Sequence, residues 1–210
     1  MKQTKSRKIP TKAIVLLIVT FGVFAGNTGA ADPGYLLLEP PQPTQTPGQI
    51  ELVDVFWYGC GHCWKFLPFM EKYLESAPSG VVVRRMPAVS RKSWEVHARA
   101  FYAAQQLGVE AKLHRPIFEA IHKDKLKLDS DDALMAFFAS HDVANAEFRK
   151  VWNSSGVEVL IGKSLQMQGR YGVEGTPSVI INGKYRTSAT LAGGYENLIK
   201  VIEELVEQER

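Results

Sequence analysis

The chain has 210 residues, 45% of them hydrophobic, with 25 Lys+Arg against 22 Asp+Glu and a formal net charge of +3. That composition belongs to a globular protein, and two cysteines exclude a small domain stapled by several disulfides. Five basic residues (Lys2, Lys5, Arg7, Lys8, Lys12) precede any acid, and without them 20 basic residues face 22 acidic ones. The basic balance therefore gives no reason to expect a nucleic-acid partner, and pairs such as Arg84-Arg85 and Arg91-Lys92 read as solvated faces.

After the basic residues 1–12 comes the apolar run Ala13–Ala25, then the small, polar Asn27–Ala31 ending Gly-Ala-Ala. This pattern predicts a secretory signal peptide over residues 1–31, cleaved after Ala30 or Ala31. An uncleaved anchor is the alternative, but an apolar run of about 13 residues falls short of the ~20 needed to span a bilayer. The remaining length suits one well-cored unit or two small lobes.

Tyr35–Leu38 is a short apolar run that suits an edge strand. Four prolines in Pro40–Pro47 then exclude helix and central strand, so this stretch is an extended connector. Ile50–Trp57 is nearly continuous apolar sequence, as in a strand buried on both faces. Asp54 interrupts it, and a carboxylate there is costly unless it has a partner or a task.

Leu52-Val-Asp-Val-Phe-Trp-Tyr-Gly-Cys60-Gly-His-Cys63 then reads as strand, glycine break and helix start. Both cysteines fall within one helical turn. The sulfur of Cys60 sits beside unpaired backbone N–H groups, which favour a thiolate; the helix end alone lowers the Cys60 pKa by roughly one unit from ~8.5. His62 can add a hydrogen bond or a charge. Half of a zinc site is the bland alternative, but no second Cys-X-X-Cys exists, and His97, His114, His122 and His141 form no close-spaced ligand pair. A purely structural disulfide would constrain the unfolded chain little across a two-residue loop.

Cys60 to Ser76 reads as a helix with Phe66, Leu67, Met70, Tyr73 and Leu74 on its core face and Pro68 inside it. Val81–Val89 is the next strand. Residues 91–165 carry no strong strand signal, and helical patterns run at about 92–107, 110–123, 130–140, 144–152 and 157–171. Their stripes, including Phe101, Leu107, Ile117, Phe118, Leu134, Phe137, Phe138 and Trp152, are most simply core. Ser178–Ile181 and Lys184–Arg186 flank Asn182-Gly183, a hairpin signal, and an amphipathic helix over Tyr195–Glu207 closes the chain.

The stretch around Cys60-Gly-His-Cys63 resembles the active-site strand and helix of the thioredoxin superfamily, and its tetrad resembles that of protein disulfide isomerase. With Val109–His122 and Tyr171–Arg186, the chain from about residue 50 to 210 is similar to the DsbA family of bacterial thiol–disulfide oxidoreductases. The resemblance implies an α/β, thioredoxin-like fold with an inserted all-helical domain. Its first part would be residues 32–90, the helical insertion 91–165, and the second part 166–210. It implies a redox-active Cys60–Cys63 pair, Asp54 beneath it relaying a proton to Cys63, and a cis bond before Pro177. The Thr176 backbone would then pair with an extended client, while Trp57, Tyr58 and Trp64 line an apolar groove.

The function implied is that of an exported dithiol oxidase, periplasmic after cleavage, needing no metal or organic cofactor. It would act as a monomer on reduced or unfolded exported proteins and be re-oxidised by a DsbB-type, quinone-linked membrane partner. The usual DsbA tetrad has proline where this chain has Gly61, which implies a more flexible loop and a milder oxidant. A disulfide isomerase or reductase is the competing enzyme class, though isomerases of this compartment commonly carry a dimerisation domain and none is visible. A peptide-binding chaperone with an incidental disulfide is the non-enzyme alternative.

Overall fold

The structure is a computed structural model that describes residues 33–210. The expected signal peptide over residues 1–31 lies outside the described residues. Five strands form one sheet in the order β1-β5-β4-β2-β3, where β1 is Tyr35–Leu37, β2 Ile50–Phe56, β3 Val81–Pro87, β4 Ser178–Ile181 and β5 Tyr185–Ser188. β2 runs parallel to β3 and antiparallel to β4; β4–β5 and β5–β1 are antiparallel. The mixed sheet with helices is the expected thioredoxin-like α/β fold.

All seven residues of β2 are buried, which explains its nearly unbroken apolar sequence. Side chains alternate between the two faces of a strand. Ile50 and Leu52 face a core shared with helix α1 (Gly61–Ser76) and helix α8 (Tyr195–Gln208), where they meet Phe66, Met70, Leu198 and Ile202. Val53 and Val55 face the opposite core with Met86, Tyr171 and Ile180. By the same parity Asp54 points to the α1 side, beneath the cysteine motif.

Between β3 and β4 run five helices: α2 Lys92–Gln106, α3 Glu110–His122, α4 Asp131–Ala139, α5 Asn145–Trp152 and α6 Ser155–Arg170. Ser130 caps α4 by accepting from the Ala133 N–H, and Ser154 caps α6 by accepting from Val157. Their buried residues, among them Phe101, Ile117, Phe118, Leu134 and Phe138, join Phe56, Tyr58, Cys63 and Leu67 in one cluster. The helices therefore pack directly on the cysteine motif. Pro68 lies inside α1 and Pro116 inside α3.

β3 stops at Pro87, two residues short of the expected end at Val89, although the Ala88 N–H still donates to Phe56 O at 2.7 Å. The Asn182-Gly183 turn has φ of 49° and 65°, the pair of positive values that a two-residue hairpin needs. Gly183 is required for a second reason: a Cβ there would lie 1.9 Å from the carbonyl oxygen of Gln42. That close approach lets Gln42 N–H donate to Gly183 O at 2.8 Å and ties the proline-rich connector to the sheet. A short helix α7, Ala189–Ala192, follows β5 and carried no periodic signal.

Candidate active site

Cys60 is the N-cap of α1, with φ −84° and ψ 112°, and its sulfur accepts a hydrogen bond from the Cys63 N–H at 3.3 Å. The Cys60 Sγ–H donates to the carbonyl oxygen of Thr176, also at 3.3 Å, across 116 residues of sequence. Thr176–Pro177 is a cis peptide bond, as the resemblance implied. Both cysteines are free thiols here; Cys60 is half-buried and Cys63 buried.

Their titrations are driven apart. The hydrogen bond from Cys63 is the main cause that brings the Cys60 pKa from the ordinary 9.0 down to about 5, with further help from the Cys63 and His62 backbone N–H groups. Burial pushes Cys63 well up, and its thiol is needed as donor to Cys60. The drop at Cys60 exceeds the roughly one unit expected from the helix end alone, because a neighbouring thiol adds a donor that a dipole argument omits.

Asp54 is 5% exposed, and its Oδ1 has no hydrogen-bond partner among the described residues. Burial raises its pKa from 3.8 to about 6, opposed by the positive charge of Arg85. Arg85, its register partner on β3, is held by Glu110 of α3 at 2.9 Å. Asp54 and Cys63 both line a small void of about 10 Å³, together with Phe66, Phe118 and Pro177. That is about the space one water molecule occupies.

The residues around the motif differ in exposure and in partners. His62 is exposed, and its Nδ1 shares a hydrogen bond of 3.0 Å with the Tyr195 hydroxyl, while its backbone N–H helps to lower the Cys60 pKa. Tyr58 does not line a groove: it is 0% exposed. Its hydroxyl lies 3.1 Å from Nδ1 of His114, and its carbonyl oxygen accepts from His122 Nε2 at 2.7 Å. The physical reason is that β2 delivers Tyr58 straight into the core shared with α3. Trp57 is half-buried and stacked on Trp94, with ring centroids 4.3 Å apart and planes 9° apart. Trp64 is half-buried and stacked on His122 at 6.1 Å.

Gly59 makes the Trp57 arrangement possible, since a Cβ there would sit 2.3 Å from the indole. A groove of about 360 Å³ instead opens on the other side of the motif, with His62, Thr176, Pro177, Ser178, Arg186 and Leu191 in its lining. Tyr195, Trp94, His114 and His122 carry no local signal for these contacts. Each partner named above is more than 30 residues away in the chain, whereas the i, i+4 pairs Glu110–His114, His114–Phe118 and Phe118–His122 are readable locally.

A thioredoxin-like sheet with a split-pKa Cys-X-X-Cys pair at the start of a helix and a cis-proline loop facing it defines a thiol–disulfide oxidoreductase. A family model for the DSBA-like thioredoxin domain matches residues 52–198, and the chain belongs to that family. It is 38% identical over 176 residues to the thiol:disulfide interchange protein DsbA of Azotobacter vinelandii, covering 84% of this chain and 82% of that one. The DsbA of Pseudomonas aeruginosa is 35% identical over 205 residues, 97% of either chain. Among solved structures, a crystal structure of Pseudomonas aeruginosa DsbA superposes with a TM-score of 0.80 at 37% identity, over 84% of this chain and 92% of that one. The oxidoreductase DsbA from Xylella fastidiosa gives 0.79 at 29% identity, over 84% and 95%.

Proposed function

We infer that the protein oxidises pairs of thiols in exported client proteins, with Cys60 as the attacked sulfur and Cys63 as the resolving one. The observation that carries this reading is the split between the two sulfurs: one half-exposed with a pKa of about 5, one buried with its pKa raised. In the oxidised protein a client thiolate attacks Cys60 Sγ, and the Cys60–Cys63 bond breaks with its electron pair leaving on Cys63. The client's second thiolate then attacks its own partner sulfur, and Cys60 departs as a stabilised thiolate. Two client thiols become one disulfide, and the Cys60–Cys63 disulfide becomes a dithiol. A low-pKa sulfur is the better leaving group in the second step, and a stabilised dithiol form makes the disulfide form the stronger oxidant.

The new Cys63 thiolate is buried and must take a proton. Asp54, with a pKa of about 6, holds one for a useful fraction of the time near neutrality and can pass it through a single water. Thr176 O and the groove beside Pro177 would receive the client backbone as an added extended strand. The helices of residues 91–165 are read as an insertion in the thioredoxin-like domain that closes the motif from one side. Export to the periplasm follows from the leader pattern and the family; among the described residues no helix is long and apolar enough to cross a membrane. Re-oxidation by a DsbB-type quinone-linked membrane protein and a monomeric state complete the reading.

The test is direct. Oxidised protein mixed with a reduced, unfolded disulfide protein should regenerate the client disulfide with loss of its own. A Cys60→Ser variant that still did so would remove Cys60 from the mechanism. A potential close to that of glutathione, with scrambled clients rescued faster than reduced ones, would favour the isomerase class instead.

A further inference from the structure

Arg186 lines the groove, and the thiol chemistry gives it no task. It lies on β5, half-buried, with Leu36 and Ile180 as its cross-strand neighbours. Its guanidinium leans over the turn at Gly172: a Cβ there would come 3.6 Å from Arg186 Nη1. Among the described residues no carboxylate or carbonyl holds that guanidinium. The contrast within the molecule is clear, because Arg84, Arg85, Arg99 and Arg115 each grip a glutamate. Arg186 is thus a half-buried arginine whose N–H donors have no protein partner among the described residues and are available to a ligand. The groove around it is otherwise apolar and hydroxyl-bearing, with Leu36, Leu191, Ser178, Ser188 and Thr190. Glu174 also borders the groove but is exposed, so its charge is more strongly screened than that of Arg186.

We propose that Arg186 forms a subsite for an acidic side chain, so that the groove selects client segments with Asp or Glu close to the reacting cysteine. This rests on the reading of the groove as the client site. The register sets the spacing. Ser178 at the cis-proline end pairs with Ser188, and Arg186 lies two residues further along β5. Two residues of strand span about 7 Å, so an extended client would bring a residue about two to four positions from its cysteine over the guanidinium. A carboxylate there takes one or two charge-assisted hydrogen bonds in partly dehydrated surroundings.

The experiment uses the oxidised mature chain and dithiol peptides identical except for Glu, Gln or Lys at positions two to four from the cysteine, reading the second-order rate of thiol loss. At low salt the Glu peptide should react about three- to tenfold faster than Gln at one of these positions, and the advantage should collapse near 1 M salt. Arg186→Gln should bring the ratio to about one, Arg186→Lys should retain part of it, and Arg186→Glu should shift the preference to Lys. A Glu:Gln ratio of one at all positions in the unmutated protein, or a ratio that survives Arg186→Gln, overturns the subsite. The salt dependence is read on the unmutated protein and so stands even if a variant folds poorly. If no peptide is oxidised at all, it is the oxidase reading that fails, and the subsite falls with it.

Discussion

The ring Nδ1 of His62 lies 3.0 Å from the hydroxyl of Tyr195, so the side chain that precedes Cys63 is tied to the last helix. Tyr195 in turn packs on Phe66 and Phe69 of α1. His62 therefore fixes the start of α1 against α8, while its backbone N–H serves the Cys60 thiolate. His62→Ala should leave the Cys60 titration near 5 and cost about 0.5–1 kcal/mol of stability, and Tyr195→Phe should cost a similar amount. Ultraviolet titration of the thiolate and denaturant unfolding measure the two effects; a rise of a full unit in the Cys60 pKa in His62→Ala alone would restore the ring to the sulfur.

Rapid alkylation of the reduced protein should label Cys60 with a rate that rises through pH 5, while Cys63 stays unlabelled until the protein unfolds. The Cys60 pKa is lowered on folding of the reduced form, so the unfolded chain binds more protons between about pH 5 and pH 9. Stability of the reduced form therefore rises with pH across that window and is lost as pH falls through about 5. The disulfide form has no such group. The reduced-minus-oxidised difference in unfolding midpoint should shrink as pH drops from 7.5 to 4.5, and a difference independent of pH would contradict the assignment.

Asp54 behaves in the opposite sense. Its folded pKa of about 6 lies above the ordinary 3.8, so the unmutated protein pays for ionising it above that pH. Asp54→Asn removes the charge at nearly constant volume. It should stabilise the fold by up to about 3 kcal/mol at pH 7–8, and the gain should fade as pH falls towards 4. Turnover should slow, with the pH dependence near 6 abolished and client affinity nearly unchanged. Paired melts and pH–rate profiles decide the matter, and a profile identical to that of the parent would leave Asp54 a structural residue.

Gly61→Pro should fold. Gly61 is the first residue of α1, where proline's missing N–H is no loss. A Cβ at Gly61 meets nothing within 4 Å, and Cys60 already has the extended φ and ψ that a residue before proline requires. The variant should gain about 0.4–1 kcal/mol from a less flexible unfolded chain, and equilibration with glutathione should show a more oxidising potential. Loss of stability would mean that the start of α1 needs glycine's freedom.

Tyr58→Phe should cost about 1–3 kcal/mol, because it strips a partner from a buried His114. Burial, Arg85 and Arg115 hold that histidine well below its usual pKa, so it is neutral and cannot recover the loss by charging at neutral pH. Activity on clients at temperatures well below unfolding should be nearly unchanged, which separates a core residue from the groove residue that its place in the motif implied. A large rise in KM would return Tyr58 to the client surface.

What was legible in the chain itself was whatever depends on near neighbours. The unbroken apolar run of β2 needs only burial on both faces. Cys60 becomes an N-cap because a glycine break precedes a helical stripe, and strand parity puts Asp54 on the same face as Leu52, towards α1. Helices α2–α6 announced themselves by their spacing, and Asn182-Gly183 by the two positive φ values it tolerates. What only the tertiary structure decided are contacts whose partners lie far along the chain. Thr176 meets Cys60 across 116 residues and Tyr195 meets His62 across 133. Tyr58 looks the same in sequence whether it faces a client or His114, and packing with α3 chose the core. Arg186 looks like any strand arginine until the fold shows that no carboxylate among the described residues comes to meet it. Local pattern sets which atoms a short segment can offer; the sheet order and the packing of the helices on the motif set which of those atoms find a partner, and that pairing determines proton affinity and exposure at the site.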